Sequence, residues 1–220
     1  MTKSTRASIL TVCTANVCRS PMAEFTLGDV FSRDPRFESV RVGSAGVRPA
    51  KDSDVCDAVA ARQEGERWSE RVRAHRPSGV TPHKLAQARL ILTASRSSRS
   101  TIARLAPEVR ERTFTMNEAL ILGAGYRREG EIAGVEAVSA FAAYLDTQRG
   151  LQPLVHPRRR FPWSRVATDP LNIFDGHNAG SKAHAATVRE VDAAMRRLAA
   201  LIIGSPASAR EERKRVGEPA

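Results

Sequence analysis

Cysteine is scarce in this chain, with three in 220 residues. An odd number that small argues against a disulfide framework and suits a reducing compartment. Aromatic residues make up only 5%, which leaves no stacking platform for nucleobases. No zinc-finger Cys/His spacing and no aromatic RNA-binding motif occurs either. No apolar run approaches the roughly 18 residues of a membrane span. Met1 to Arg6 is polar and is followed by only Ile9-Leu10-Thr11-Val12, too short for a signal-peptide core. These absences lead to the expectation of a cytoplasmic protein with no membrane span and no nucleic-acid partner.

Positive charge is plentiful: Lys+Arg 35 against Asp+Glu 24 gives +11. Arginine outnumbers lysine 30 to 5 and is spread along the whole chain, the pattern of a solvated basic surface rather than a nucleic-acid footprint. The run Arg158-Arg159-Arg160 is a local exception. It either flanks the mouth of a site or is one more solvated stretch. Hydrophobic residues at 41% and the chain length permit a sizeable core without covalent staples.

Hydrophobic periodicity predicts alternating strands and helices. Ala7 to Cys13 is a short apolar run ending at small polar residues, the mark of a buried strand. Ser20-Pro21 supplies an N-cap and a proline suited to the first helical position, ahead of Ala23, Phe25, Leu27 and Val30. Glu38 to Val42 reads as a second strand entering Gly43-Ser44-Ala45-Gly46, Asp54 to Gln63 as a helix, and Thr81-Pro82 as the start of a short one. Arg89 to Thr93 and Arg112 to Met116 read as the third and fourth strands. Ser98 to Leu105, Glu118 to Leu122, Val135 to Gln148 and Lys182 to Ile203 read as helices. Such alternation implies an α/β fold, a parallel sheet covered by helices on both faces. Residues 1–204 are expected to form one domain, with a long loop at about 150–180 that carries Pro153, Pro157, Pro162 and Pro170. Residues 205–220 are expected to be a disordered basic tail.

The turn after the first strand carries the chemistry: Cys13-Thr14-Ala15-Asn16-Val17-Cys18-Arg19-Ser20-Pro21. A cysteine six residues before an arginine means little alone, since Cys56 and Arg62 repeat that spacing inside a helical pattern with no loop to hold an anion. Cys13 differs by its context. It ends a buried strand, and the loop beyond it runs into a helix N-terminus, where free N–H groups and the helix dipole prepare a site for a tetrahedral oxyanion. Consecutive N–H groups curling round an anion form a nest. The same field favours the thiolate form of a cysteine. Arg19 adds a planar, permanently charged fork that binds two phosphate oxygens at once. Nucleophile, cradle and clamp together point to phosphoryl transfer through a phosphocysteine. Cys18, five residues from Cys13 in a turn wrapped round one anion, is expected to face it closely enough to act as a redox partner.

This segment resembles the phosphate loop of the low-molecular-weight protein tyrosine phosphatases. The similarity extends to Gly43-Ser44-Ala45-Gly46, His75 with Val80-Thr81, Leu90-Ile91-Leu92-Thr93, and Asp169-Pro170 before the final helix. The resemblance implies a four-stranded parallel sheet with the phosphate loop between the first strand and first helix. It implies Cys13 as nucleophile, with Thr14, Ala15, Asn16, Val17, Cys18, Arg19 and Ser20 around the phosphate. Ser20 would offer its hydroxyl to the sulfur, and Asn16 would hold a left-handed loop conformation, supported by Ser44 and His75. Asp169 would be the general acid and then the base for water, with Asp175 as the fallback. Neither a cofactor nor a metal is implied, and His83, His156, His177 and His184 show no ligand spacing.

Some positions depart from the tyrosine-directed pattern. Leu171 stands where an aromatic usually follows Asp-Pro, and the stretch Val47 to Ser53 has no aromatic. Phe161, Trp163 or Phe174 could supply the missing wall. Val17 stands where the family's phosphoarginine enzymes carry threonine, and an apolar residue there favours a phosphate ester. The expected activity is hydrolysis of phosphate monoesters, foremost protein phosphotyrosine, with a phosphorylated protein or small aryl phosphate as partner. The rivals are a thiol-coupled arsenate reductase and a weakly active phosphate-binding regulatory module.

Overall fold

The computed structural model describes residues 7–62, 65–128, 130–151, 158–159, 167–177 and 179–204. Strands β1 (Ile9–Cys13), β2 (Val42–Gly46), β3 (Leu90–Thr93) and β4 (Thr113–Thr115) form one sheet in the order β2-β1-β3-β4. Every pairing in it is parallel. The chain passes from β1 to β2 on one side and returns to β3 on the other. The carboxyl end of β1 is therefore a topological switch point, the place where open α/β sheets bind ligands.

Helices cover both faces. They are α1 (Arg19–Ser32), α2 (Asp57–Ala60), α3 (Glu66–Ala74), α4 (Pro82–Gln87), α5 (Arg96–Leu105), α6 (Met116–Gly123), α7 (Gly134–Thr147) and α8 (Ser181–Ile203). The pleat of β1 divides the core. Ile9 and Cys13 join a cluster with Phe25, Phe141, Met195 and Leu198, while Leu10 and Val12 join another with Leu85 and Ile102. Burial on both sides explains why β1 and β3 are continuous apolar runs rather than alternating ones. Helix α8 packs along α1, and Asp192 of α8 accepts from Thr26 Oγ1 at 3.0 Å, Arg62 at 2.8 Å and Arg196 at 3.1 Å. A buried carboxylate with three donors pins these elements together.

Several expectations shift, and the helix expected over Asp54 to Gln63 shortens to Asp57–Ala60. The second strand is Val42–Gly46 rather than Glu38 to Val42, because Gly43 to Gly46 pair with Leu10 to Cys13. Small residues allow this: a Cβ at Gly46 would lie 2.7 Å from the Thr14 carbonyl oxygen. Helix α1 begins at Arg19 with Cys18 in the capping position, so Ser20 lies inside the helix and its hydroxyl is not used as a cap. Within the expected long loop, β5 (Arg158–Arg159) pairs antiparallel with β6 (Ala167–Thr168), which sets the backbone of Arg158 and Arg159 beside the residues entering Asp169. Arg160, Phe161, Trp163, His156 and the 205–220 tail lie outside the described residues.

Candidate active site

Cys13 ends β1 and is only 3% exposed. Its sulfur accepts from the Asn16 N–H at 3.3 Å and from the Ser20 hydroxyl at 3.1 Å. The loop beyond it is shaped by where its carbonyls go. Those of Cys13, Thr14, Ala15 and Val17 accept from the N–H groups of Val47, Arg48, Ala50 and Cys56 at 2.9–3.0 Å. That of Asn16 accepts from His75 Nε2 at 2.9 Å. Peptide groups are planar and trans, so an outward carbonyl turns the next N–H inward. The N–H groups of residues Thr14 to Cys18 therefore line the concave side of the loop, and the Asn16 N–H on Cys13 is one of them. This is an anion nest built at a helix N-terminus.

Asn16 has φ 59, the left-handed conformation, which asparagine tolerates better than most residues. Its side chain holds that strained residue in place. Nδ2 donates to Ser20 Oγ at 3.0 Å and Ser44 Oγ at 2.8 Å, and Oδ1 accepts from the Ser78 N–H at 2.8 Å. Burial pulls the His75 imidazole below its usual range, so the ring is neutral and its Nε2–H donates to Asn16. The Asn16, Ser20, Ser44 and His75 expectations thus meet at one network.

Sequence reasoning missed two members. Glu24 lies one turn of helix beyond Ser20 and reaches the Ser44 hydroxyl; burial raises its carboxyl, opposed by that hydrogen bond and by Arg71 and Lys84. Ser78 supplies only a backbone N–H, which no side-chain pattern advertises. The Glu24 signal was present as an acidic residue at i+4 from Ser20 on a buried helix face.

Arg19 is buried, 6% exposed. Its guanidinium donates to the Ile173 carbonyl at 3.3 Å and forms an ion pair with the Asp175 carboxylate. The two candidate acids therefore have different positions. Asp169 opens a turn: Oδ1 accepts from the Leu171 N–H at 3.0 Å, and Oδ2 faces Arg96 at 3.5 Å, with the side chain 14% exposed. Asp175 is 52% exposed and is the carboxylate that meets Arg19. Its segment is fastened on both sides. The Ile173 N–H donates to Ala94 at 2.9 Å, and Thr187 of α8 accepts from Gly176 N–H while donating to the Phe174 carbonyl, each at 3.1 Å.

Cys18 has neighbours that sequence spacing did not indicate. Its sulfur meets the residue before α2 and a histidine of α8. His184 Nε2 lies 3.1 Å from Cys18 Sγ and 3.2 Å from Cys56 Sγ. Hydrogen bonding to Cys56 and burial push the Cys18 thiol up, while the hydrogen bond from Cys18 pulls the Cys56 thiol down. Sequence spacing shows no metal ligands, yet the fold brings these three ligand atoms within 4.8 Å of one another. The Cys56–Arg62 pair read as a decoy splits: Arg62 goes to Asp192 and Cys56 to this cluster.

The model of the low molecular weight phosphotyrosine protein phosphatase family matches residues 8–121, more than half of the chain and the part that builds the loop and sheet. The chain belongs to that family. A protein-arginine-phosphatase of Geobacillus stearothermophilus is 31% identical over 112 residues, covering 50% of this chain and 69% of that one. Among solved structures, a mutant of YwlE from Bacillus subtilis superposes with a TM-score of 0.58 at 20% identity, over 90% of this chain and 99% of that one. The tyrosine phosphatase Wzb from Escherichia coli K30, in complex with sulphate, gives 0.54 at 21% identity, over 87% and 94%. The phosphatase thus has the family's fold, and hydrolysis of a phosphorylated substrate is its activity class. Among its described residues no helix is long and apolar enough to cross a membrane.

Proposed function

We propose that the phosphatase cleaves phosphate monoesters, foremost protein phosphotyrosine, through a phosphocysteine on Cys13. The observation that carries this reading is the Cys13 sulfur held by two donors at the mouth of an N–H nest, with Arg19 at the next helix start. In the first step the sulfur attacks phosphorus, the P–S bond forms and the P–O bond breaks. An acid gives its proton to the leaving phenolate oxygen. Water then attacks phosphorus, the P–S bond breaks, and the same carboxylate takes the water proton. The Ser20 hydroxyl, already on the sulfur, supports the departing thiolate in that second step.

The acid is Asp175 in this reading, and the role first expected of Asp169 passes to it. Asp169 is committed to a turn and to Arg96, whereas Asp175 is exposed beside the phosphate clamp. A phosphate anion competes with the Asp175 carboxylate for Arg19, so substrate entry releases the carboxylate, which takes a proton from solvent before giving it to the leaving oxygen. Phe174, 59% exposed and next to Asp175 in the chain, offers the aromatic surface absent at Leu171 and in the stretch Val47 to Ser53. The free cysteines support a reducing compartment, the cytoplasm.

One observation favours a second substrate, phosphoarginine: the arginine-phosphatase relative. The test compares kcat/KM for a phosphotyrosyl peptide and a phosphoarginyl peptide, alongside arsenate reduction with a thiol cofactor. The reading expects the phosphotyrosyl peptide to be preferred and arsenate to be untouched. Preference for phosphoarginine would transfer the assignment, and thiol-dependent arsenate turnover would replace it.

A further inference from the structure

Phosphoryl transfer makes no use of Cys56 or His184, yet both converge on Cys18 at the back of the phosphate loop. The three residues come from the start of α1, the start of α2 and the first turn of α8, His184 being 166 positions from Cys18 and 128 from Cys56. Both cysteines are buried and the imidazole is half-buried. The His177 and His184 rings pack edge to face, with centroids 4.9 Å apart. This fixes a histidine that faces two sulfurs at once.

Within the cluster the Cys18 thiol hydrogen-bonds Cys56, and one imidazole nitrogen, with at most one proton to share, faces both sulfurs. The sulfurs nevertheless stand at nearly equal distances, 3.1 and 3.2 Å. Equal approach of two soft donors and one imidazole to a common point is what a metal ion organises. Zinc–sulfur bonds of about 2.3 Å and a zinc–nitrogen bond of about 2.0–2.1 Å at a tetrahedral angle put sulfur and nitrogen about 3.6 Å apart. Opening the cluster by about half an ångström therefore suffices.

We propose that Cys18, Cys56 and His184 form a binding site for a thiophilic divalent cation of the zinc type. Two thiolates and a neutral imidazole supply three ligands, and water takes the fourth position. Binding displaces the thiol protons to solvent, so affinity rises with pH. The cation ties the phosphate loop to α2 and α8, the helix that also holds the Asp175 segment. It occupies the Cys18 thiol as well, which is then unavailable to Cys13 as an oxidation partner.

The test uses full-length protein carrying Cys13→Ser, which removes the competing nucleophile. The protein is kept reduced by a phosphine, stripped with a chelator and titrated with Zn²⁺ alone. Co²⁺ serves as a second probe, read by thiolate-to-cobalt charge transfer and the intense visible bands of tetrahedral cobalt. The site predicts one equivalent of either ion and a rise in melting temperature on binding. Adding Cys56→Ser or His184→Gln should weaken uptake by at least about tenfold, the lower bound for losing even an outer-shell partner. The apo melting temperatures of those variants report whether they fold. Failure of the Cys13→Ser protein to take up an equivalent overturns the proposal. So does unchanged uptake in both folded ligand variants, or cobalt bands without the charge-transfer signature of a thiolate. Since no readout depends on turnover, these results are independent of the phosphatase reading.

Discussion

Between Cys13 and Ser20 the proposed nucleophile, the N–H nest, the proposed arginine clamp and the hydroxyl on the sulfur all arise within one strand-to-helix turn, whereas Asp175 reaches Arg19 across 156 positions. The first region is nearly self-assembling, because the chain has only to end a strand and begin a helix for the N–H groups to converge. The second depends on where α8 lies and on how residues 173–176 are fastened to Ala94 and Thr187. A local anion site is thus set by covalent neighbours, and the placement of Asp175 by packing. Damage to the first should act on every substrate. Damage to the second should depend on how badly the leaving group needs a proton.

The largest effect belongs to the first region. Cys13→Ser should abolish turnover while phosphate or vanadate still binds, since the N–H nest and Arg19 remain; calorimetry with the oxyanion checks this. Retained turnover would remove Cys13 from the mechanism. The next largest divides the two carboxylates. Asp175→Asn should slow phenyl phosphate hydrolysis by about 10²–10⁴-fold and hurt a nitrophenyl ester far less. Asp169→Asn should lower the melting temperature through its turn, with equal effects on the two esters. The opposite pattern would return the acid to Asp169.

A third prediction perturbs the fastening without touching a carboxylate. A Cβ at Gly176 would stand 2.4 Å from the Ala183 carbonyl oxygen and 2.6 Å from Thr187 Oγ1. Gly176→Ala must therefore shift the Asp175 segment, at a cost of about 1–3 kcal/mol for overpacking. It should reproduce the leaving-group dependence of Asp175→Asn in weaker form. Equal losses on both esters would show that the segment serves binding and not acid catalysis.

The smallest effect is a pH dependence at the loop's support. An unfolded histidine titrates near 6.5, and burial holds His75 lower in the folded protein. Between those values the unfolded chain binds a proton that the folded one lacks, so stability is full above about pH 6.5 and declines as pH falls through the folded value. Melting curves at about pH 7.5 and about pH 5.5 should show a larger acid loss for wild type than for His75→Gln, which cannot take that proton. Equal losses would mean that His75 is not held neutral.

The turn at Cys13, the capped starts at Thr81 and Pro82, the buried strand Leu90–Thr93 and the long final helix were legible from spacing and residue type alone. Each is a short-range consequence: a cap, a proline, or an apolar run of the right length. The second strand was displaced because four small residues look like a loop until β1 lies beside them. Glu24 was passed over because its i+4 spacing from Ser20 gains meaning only once Ser44 lies beside it.

Residue order alone therefore determined that an oxyanion could be bound after the first strand, since that needs only contiguous N–H groups, a helix start and a nearby arginine. Tertiary structure alone decided which aspartate meets that arginine, and that His184 comes against Cys18. Those two contacts join residues more than a hundred positions apart, and their distances follow from how α8 packs against α1, which no local periodicity encodes.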